Sequence, residues 1–355
     1  MKVLNVITSL RTGGAEKLVV ELTAALRERG HIADVALFDG SDATFKRELD
    51  QTGCKTYIFS HGGSVYSPRR IFQLAKVMKD YDIVHTHNTS PQFFAAIASL
   101  FSSTPKLVTT EHNTTNRRRD KRYFLPIDRW MYNRYKKIIC ISDKAYTNLM
   151  NYLKKTKAGV VTIKNGVNLT TFTQASPIAE FKREGTFAIV MVAAFRPQKD
   201  QGTLIKAIQF LPKEYELYLV GQGETRPSLE ELSKQLEVDQ RVHFLGLRRD
   251  IPNILKSADV IVMSSHYEGL SLSSIEGMCV GKPFVASDVD GLKEVVQGAG
   301  ILVAHKEEQA LAQSIKKLCT DVEYAKMVAE RCFSRAQEYD FSKMAESYNE
   351  LYMNI

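Results

Sequence analysis

Val260-Ile-Val-Met263 runs through a short polar loop into Glu268-Gly-Leu-Ser-Leu-Ser-Ser-Ile-Glu276. The apolar run predicts a strand, and the residues after it predict a loop and then a helix. In a parallel sheet, strand–loop–helix is where a ligand sits, outside the carboxyl ends of the strands. The loop's free amides and the helix's positive end suit a phosphate. Glu276, eight residues after Glu268 and inside the helix, is placed to reach a sugar or ribose hydroxyl. The run thus offers places for both halves of a sugar nucleotide.

Outward from this stretch, short apolar strands alternate with helical segments. Strands are expected at 2–8, 33–38, 56–59, 82–86, 106–110, 137–141 and 160–164. A second series follows at 187–194, 215–220, 242–245, 259–264, 283–287 and 300–304. Ala15–Arg29 reads as an amphipathic helix closed by Gly30. Alternating β and α implies parallel sheets covered on both faces. The expectation is an α/β chain of two doubly wound, Rossmann-like domains with a cleft between them: 1–170, then 186–338. Thr171–Gly185, polar with one proline, reads as a linker. The tail from Glu307 reads as helical with a break near Tyr339–Ser342, and 339–355 as a helix returning to the first domain.

A chain of 355 residues, 44% hydrophobic and 25% charged, reads as globular, with two domains the default. No apolar run approaches the ~18 residues of a membrane helix, and the start reads as a strand rather than a signal peptide. Five scattered cysteines without Cys-x-x-Cys favour reduced thiols in a cytoplasm over a zinc site. The net charge of +8 is concentrated: Asn116–Lys137 holds nine Lys/Arg against two Asp, with Tyr123, Phe124, Leu125, Trp130, Met131 and Tyr132 interleaved. This is either a solvated face or a surface for anionic lipid headgroups or an anionic acceptor. Nucleic acid is not expected, since no binding motif accompanies the charge.

Other strand ends carry candidate chemistry. Gly13 and Gly14 let a ligand approach the backbone at the start of the first helix, although a plain tight turn reads the same way. His85, His87 and His112 end two neighbouring strands. No third ligand is spaced near the His85-Thr-His87 pair to make it a metal site, and His112 is the one expected to face substrate. Arg196 and Lys199 follow the first strand of the second series, where they can neutralise a leaving diphosphate. Gly221 and Gly223 form another glycine turn. Asp80-Tyr-Asp82 and Asp288-Val-Asp290 are read as structural, so no metal or other cofactor is expected.

In this order the loops resemble the retaining family-4 glycosyltransferases of the GT-B fold. The resemblance rests on Gly13-Gly14-Ala-Glu, Asp82-Ile-Val-His-Thr-His87, Thr110-Glu-His112-Asn, Asn165-Gly166-Val167-Asn168, Gly221-Gln-Gly223 and, most specifically, Tyr267-Glu through Pro283. It implies that Glu276 holds the donor ribose and that Ser271, Leu272 and Ser273 meet its phosphates or sugar. It also implies that Glu268 contacts the transferred sugar, Lys199 the diphosphate and His112 the reacting centre. Gly13, Gly14, Asn165 and Gly221 then line the substrate. The implied reaction is metal-free transfer of a sugar from a nucleotide sugar, a UDP-sugar by family frequency, to a glycan or lipid-linked glycan. Such acceptors occur in capsule, lipopolysaccharide O-antigen or exopolysaccharide assembly, and a peripheral position on the anionic inner leaflet fits the basic stretch.

One position departs from the family. Ala194 stands where its arginine usually follows the strand's Val192, and Arg196 is the nearest cation on the loop. A non-catalytic sugar-nucleotide-binding subunit and a GT-B epimerase therefore remain alternative readings.

Overall fold

The computed structural model describes residues 1–11, 13–41, 44–102, 105–112, 118–119 and 121–355, with Arg122 described by its backbone alone. Asn113, Asn116 and Arg117, which belong to motifs named for the sequence, lie outside the described residues.

The chain forms two compact units: Met1–Asn165 with Ser342–Ile355, and Gly166–Phe341. In the first, β1 (Lys2–Ile7), β2 (Ile32–Leu37), β3 (Thr56–Ile58), β4 (Ile83–His87), β5 (Lys106–Glu111), β6 (Lys137–Cys140) and β7 (Gly159–Thr162) form one sheet of order β3-β2-β1-β4-β5-β6-β7. In the second, β8 (Phe187–Val192), β9 (Tyr215–Val220), β10 (Val242–Gly246), β11 (Val260–Met263), β12 (Phe284–Ser287) and β13 (Ile301–Val303) take the order β10-β9-β8-β11-β12-β13. Every pairing between these strands is parallel. Each strand coincides within a residue or two with an apolar run expected from the sequence. Burial on both faces of a parallel sheet makes such runs nearly continuous.

Alternate residues serve opposite faces. On β1, Leu4 and Val6 enter one core with Val84, Ile138 and Cys140. Ile7 enters another with Val19, Val35 and Leu37. The second unit gathers its β8–β13 strands and helices into one continuous core. The order of each sheet reverses between its first and fourth strands, β1/β4 and β8/β11. There the connections leave in opposite directions and open a crevice beyond the carboxyl ends.

The stretch 171–185, expected as a linker, belongs to the second unit. Its polar residues are anchored: Lys182 pairs with Asp259 and Arg183 with buried Glu216, while Ile178 and Phe181 pack on the core. The chain changes unit at Gly166 and again after Phe341. There Val167 N–H donates to Tyr339 O at 2.8 Å and Phe341 N–H to Val167 O at 2.9 Å. Gly166 has no room for a side chain, since a Cβ would lie 2.7 Å from Phe341 Cα. The helix Phe341–Met353 then completes the first unit, burying Tyr348 and Tyr352.

Candidate functional site

The β8/β11 edge of the second unit is charged. Pro197–Lys199 forms a single turn after β8, and Asp200 follows with a left-handed backbone (φ 47°). Ser264 Oγ at the end of β11 donates to Asp200 O at 2.8 Å and fixes this turn against the sheet. Lys199 Nζ then lies 2.5 Å from Glu268 Oε1, and Ser265 Oγ donates to the same oxygen at 2.7 Å. The pair is nearly enclosed, with side-chain exposures of 18% and 7%. Among the described residues, Glu268 Oε2 has no hydrogen bond and is left chemically unspent.

Beyond Glu268 the helix Leu272–Cys279 opens with Ser271 as its cap. Ser271 Oγ accepts from Ser274 N–H at 3.4 Å and from Ser274 Oγ at 2.8 Å. That satisfies Ser274, while the first-turn amides of Leu272 and Ser273 have no partner within the helix. These two amides and the positive end of the helix are of the kind that suits an anion, and they follow Glu268 by four and five residues. Glu276 lies half-buried on the same helix, one turn further along. Arg196 is exposed, and its guanidinium has no partner among the described residues.

Glycines set the loop approaches. Gly221 (φ 144°) and Gly223 lie against the β8 loop, where Cβ atoms would come within 2.0 Å of Ala193 O and 2.1 Å of Phe195 O. Their visible role is to let that loop pass. Gly291, which sequence reasoning missed, supports the Glu268 loop: at φ 82° its Cβ would lie 2.4 Å from Glu268 O. The signal was there in Asp290-Gly291, a common turn pair. Of the two Asp-x-Asp motifs, Asp288 pairs with Lys293 at 3.2 Å and Asp82 accepts from Lys2 N–H at 2.7 Å.

The β1/β4 edge of the first unit is neutral. Thr23 Oγ donates to Val19 O at 2.7 Å, so it accepts from Asn5 Nδ2 at 3.0 Å. This turns Asn5 Oδ1 towards His87 Nε2, 3.4 Å away, which must carry the proton. His87 Nδ1 is then the acceptor for His112 Nε2–H at 2.9 Å. The chain ends at His112 Nδ1, a buried lone pair with no hydrogen-bond partner among the described residues. Burial pushes His112 down to about 4, against an opposing pull from Glu111, and holds His85 and His87 well below the usual histidine range. His85 is consumed by structure: Nε2 meets Thr110 Oγ at 2.7 Å and Nδ1 meets Tyr352 OH at 2.6 Å.

Gly14 has open space where a Cβ would stand; a Cβ on Gly13 would meet only the flexible end of Glu16. Asn165 is buried, 7% exposed, with Oδ1 unpartnered among the described residues. An orphaned buried acceptor is uncommon and invites a ligand donor. His112, Gly13, Gly14 and Asn165 thus belong to the first unit, and Arg196, Lys199, Gly221, Glu268, Ser271, Leu272, Ser273 and Glu276 to the second.

The basic stretch is partly structural. Arg119 pairs with Glu111 at 2.5 Å, both side chains largely enclosed, and Tyr132 OH and Gln92 Nε2 complete that carboxylate at 2.7 and 2.9 Å. Arg118 pairs with Asp128 and lies over the Phe124 ring. These arginines are therefore not part of a free basic face, because nearby carboxylates have drawn them inward. Lys121, Arg134 and Lys136 are exposed, as are Tyr123, Ile127 and Trp130. Arg129, Asn133, Lys154, Lys155, Thr156 and Lys157 line a cavity of about 490 Å³.

Residues 12–171 match the family described as Glycosyltransferase Family 4, and residues 173–334 the family described as Glycosyl transferases group 1. The UDP-Gal:alpha-D-GlcNAc-diphosphoundecaprenol alpha-1,3-galactosyltransferase of Escherichia coli is 24% identical over 308 residues, 81% of this chain and 79% of that protein. The phosphatidyl-myo-inositol mannosyltransferase of Mycolicibacterium smegmatis is 25% identical over 359 aligned positions, 97% of this chain and 90% of that protein. HepE of Anabaena in complex with UDP covers both chains completely with a TM-score of 0.88 at 24% identity. Its complex with UDP-glucose does so at 0.84 and 25%.

Proposed function

The chain belongs to the family-4 glycosyltransferases, and we propose that it moves a hexose from a UDP-sugar to a hydroxyl of a lipid-linked glycan. On this reading the anomeric configuration is retained, no metal takes part, and the product enters surface-polysaccharide assembly. The observation that carries the reading is the enclosed Lys199–Glu268 pair beside the open amides of Leu272 and Ser273. It sets a cation, a carboxylate and a helix terminus side by side, as a sugar diphosphate requires.

Each group then has a task. Lys199 and the Leu272 and Ser273 amides hold the diphosphate, and Arg196 adds charge as the leaving group develops it. Glu268 offers its unspent Oε2 to a hydroxyl of the transferred sugar, and Glu276 takes the ribose. His112, neutral at physiological pH, accepts a hydrogen bond from a sugar hydroxyl at Nδ1. Gly13, Gly14 and Asn165 line the substrate. The acceptor oxygen forms its bond to the anomeric carbon as the bond to the phosphate oxygen breaks. The acceptor proton passes to that departing phosphate oxygen on the same face, so the protein acts by positioning and charge stabilisation.

UDP and UDP-glucose in the HepE complexes support the donor class. The lipid-bearing acceptors in the names of the two relatives support the acceptor class. Among the described residues no helix is long and apolar enough to cross a membrane. The exposed Trp130, Ile127 and Tyr123, beside the cations around the Lys154–Lys157 cavity, favour reversible docking on an anionic leaflet.

A screen of nucleotide sugars for thermal stabilisation and slow hydrolysis tests the reading. UDP-hexoses are expected to raise Tm and to be turned over. Stabilisation without turnover, with or without acceptor, would favour the binding-subunit reading that Ala194 motivates. Isomerisation without acceptor would favour an epimerase.

A further inference from the structure

Three residues from three strand ends of the second unit converge beside the charged edge. Asp200 closes the turn after β8, His266 lies in the loop after β11, and His305 follows β13. One ligand atom from each lies within 4.8 Å of the others. His266 Nδ1 is 2.6 Å from His305 Nε2 and 3.2 Å from Asp200 Oδ2, and the two rings stand nearly perpendicular, at 83°. We infer that Asp200, His266 and His305 form a binding site for a zinc-type transition-metal dication. The inference goes beyond the transferase reading and does not depend on it.

The donor chemistry selects the ion. Two imidazoles and a carboxylate are a zinc-like set, whereas magnesium and calcium take oxygen ligands. Zinc bonds such nitrogens and oxygens at ~2.0–2.2 Å. An ion between the three groups therefore needs only a small opening of the histidine pair, which otherwise shares one proton. Three protein ligands leave a fourth position for water. A supporting shell is already in place. Thr203 Oγ and N–H donate to the Asp200 carboxylate at 2.7 and 3.3 Å, and His266 N–H donates to Gln198 O at 2.8 Å. Such outer contacts orient ligands and raise affinity. Asp200 adjoins Lys199 and His266 lies two residues before Glu268, so a bound ion would fasten together the two loops that carry this ion pair.

The test is titration of the EDTA-stripped full chain with Zn²⁺ by calorimetry and with Co²⁺ by absorption. Saturable Zn²⁺ uptake at a single site, tetrahedral Co²⁺ bands and a raised Tm are expected, with no response to Mg²⁺. His266→Asn and His305→Gln should each weaken Zn²⁺ binding by more than the roughly 10–100-fold that loss of a supporting contact costs. Where His266→Asn fails to fold, as judged by circular dichroism, half-buried His305→Gln carries the test alone. Absence of saturable uptake, or uptake unchanged by His305→Gln, would overturn the site.

Discussion

At the switch point of the first sheet stand Asn5, His85, His87 and His112; at that of the second stand Arg196, Lys199, Asp200 and Glu268. The strand orders match but for one added strand, yet one edge carries a run of neutral histidines and the other a set of charges. Burial makes the difference on the first edge. Tyr348 and Tyr352 seal His85, and desolvation leaves the histidines as an oriented run of neutral donors and acceptors. On the second, short loops hold Lys199 and Glu268 as a nearly enclosed pair and leave Arg196 exposed beside it on the same loop. A shared backbone topology therefore fixes where a ligand comes, while loop burial fixes what electrical character it meets.

Erasing the charged edge should have the largest effect. Lys199→Ala strands Glu268, whose side chain is 7% exposed, and breaking a buried pair costs ~3–5 kcal/mol of stability. In variants that fold, turnover should fall by about 10²–10³-fold; denaturant melts and steady-state kinetics read the two effects separately. Wild-type turnover would remove Lys199 from the diphosphate. Glu276→Ala should next weaken UDP binding by ~1.5–3 kcal/mol, measured by calorimetry, with the fold intact.

The neutral edge predicts acid sensitivity. The folded state holds His112 at about 4 and His85 and His87 below their usual range, against ~6.5 when unfolded. The unfolded chain binds more protons in that window. This contribution to stability is therefore complete above pH ~6.5 and is lost as pH falls from there towards 4. Thermal melts across that range should show it, and a flat profile would break the contrast between the edges. Exposed Arg196→Ala should leave stability within about ±0.5 kcal/mol and lower kcat more than it weakens UDP binding, because leaving-group charge grows in the transition state. A separate effect is expected at the membrane. Replacing Lys154, Lys155 and Lys157 by glutamine should weaken sedimentation with anionic vesicles by about 1 kcal/mol per charge. Equal binding to neutral vesicles would leave this cluster a solvated face.

The strands were legible because burial on both faces writes itself as apolar runs, and the charged edge because Lys199 and Glu268 directly follow two of them. The features that escaped notice depend on distant partners. Arg118 and Arg119 read as part of a solvated face or an anion-binding surface because Asp128 and Glu111 are not marked in the sequence as their acceptors. His266 and His305 lie 39 residues apart, with no metal-ligand spacing to join them. Thr171–Gly185 has the composition of a linker, and only its pairing with buried Glu216 and with Asp259 reveals it as anchored.

The closing helix has a consequence for biogenesis. Residues 342–355 finish a unit begun by residues 1–165, and Tyr352 supplies a partner to His85, 267 positions earlier in the chain. On the ribosome the amino-terminal unit must therefore wait, its sheet edge uncapped, while the second unit is translated and is free to fold. At ~5–20 residues per second that interval is roughly ten to forty seconds, long enough for a chaperone to be the surrogate for Tyr348 and Tyr352.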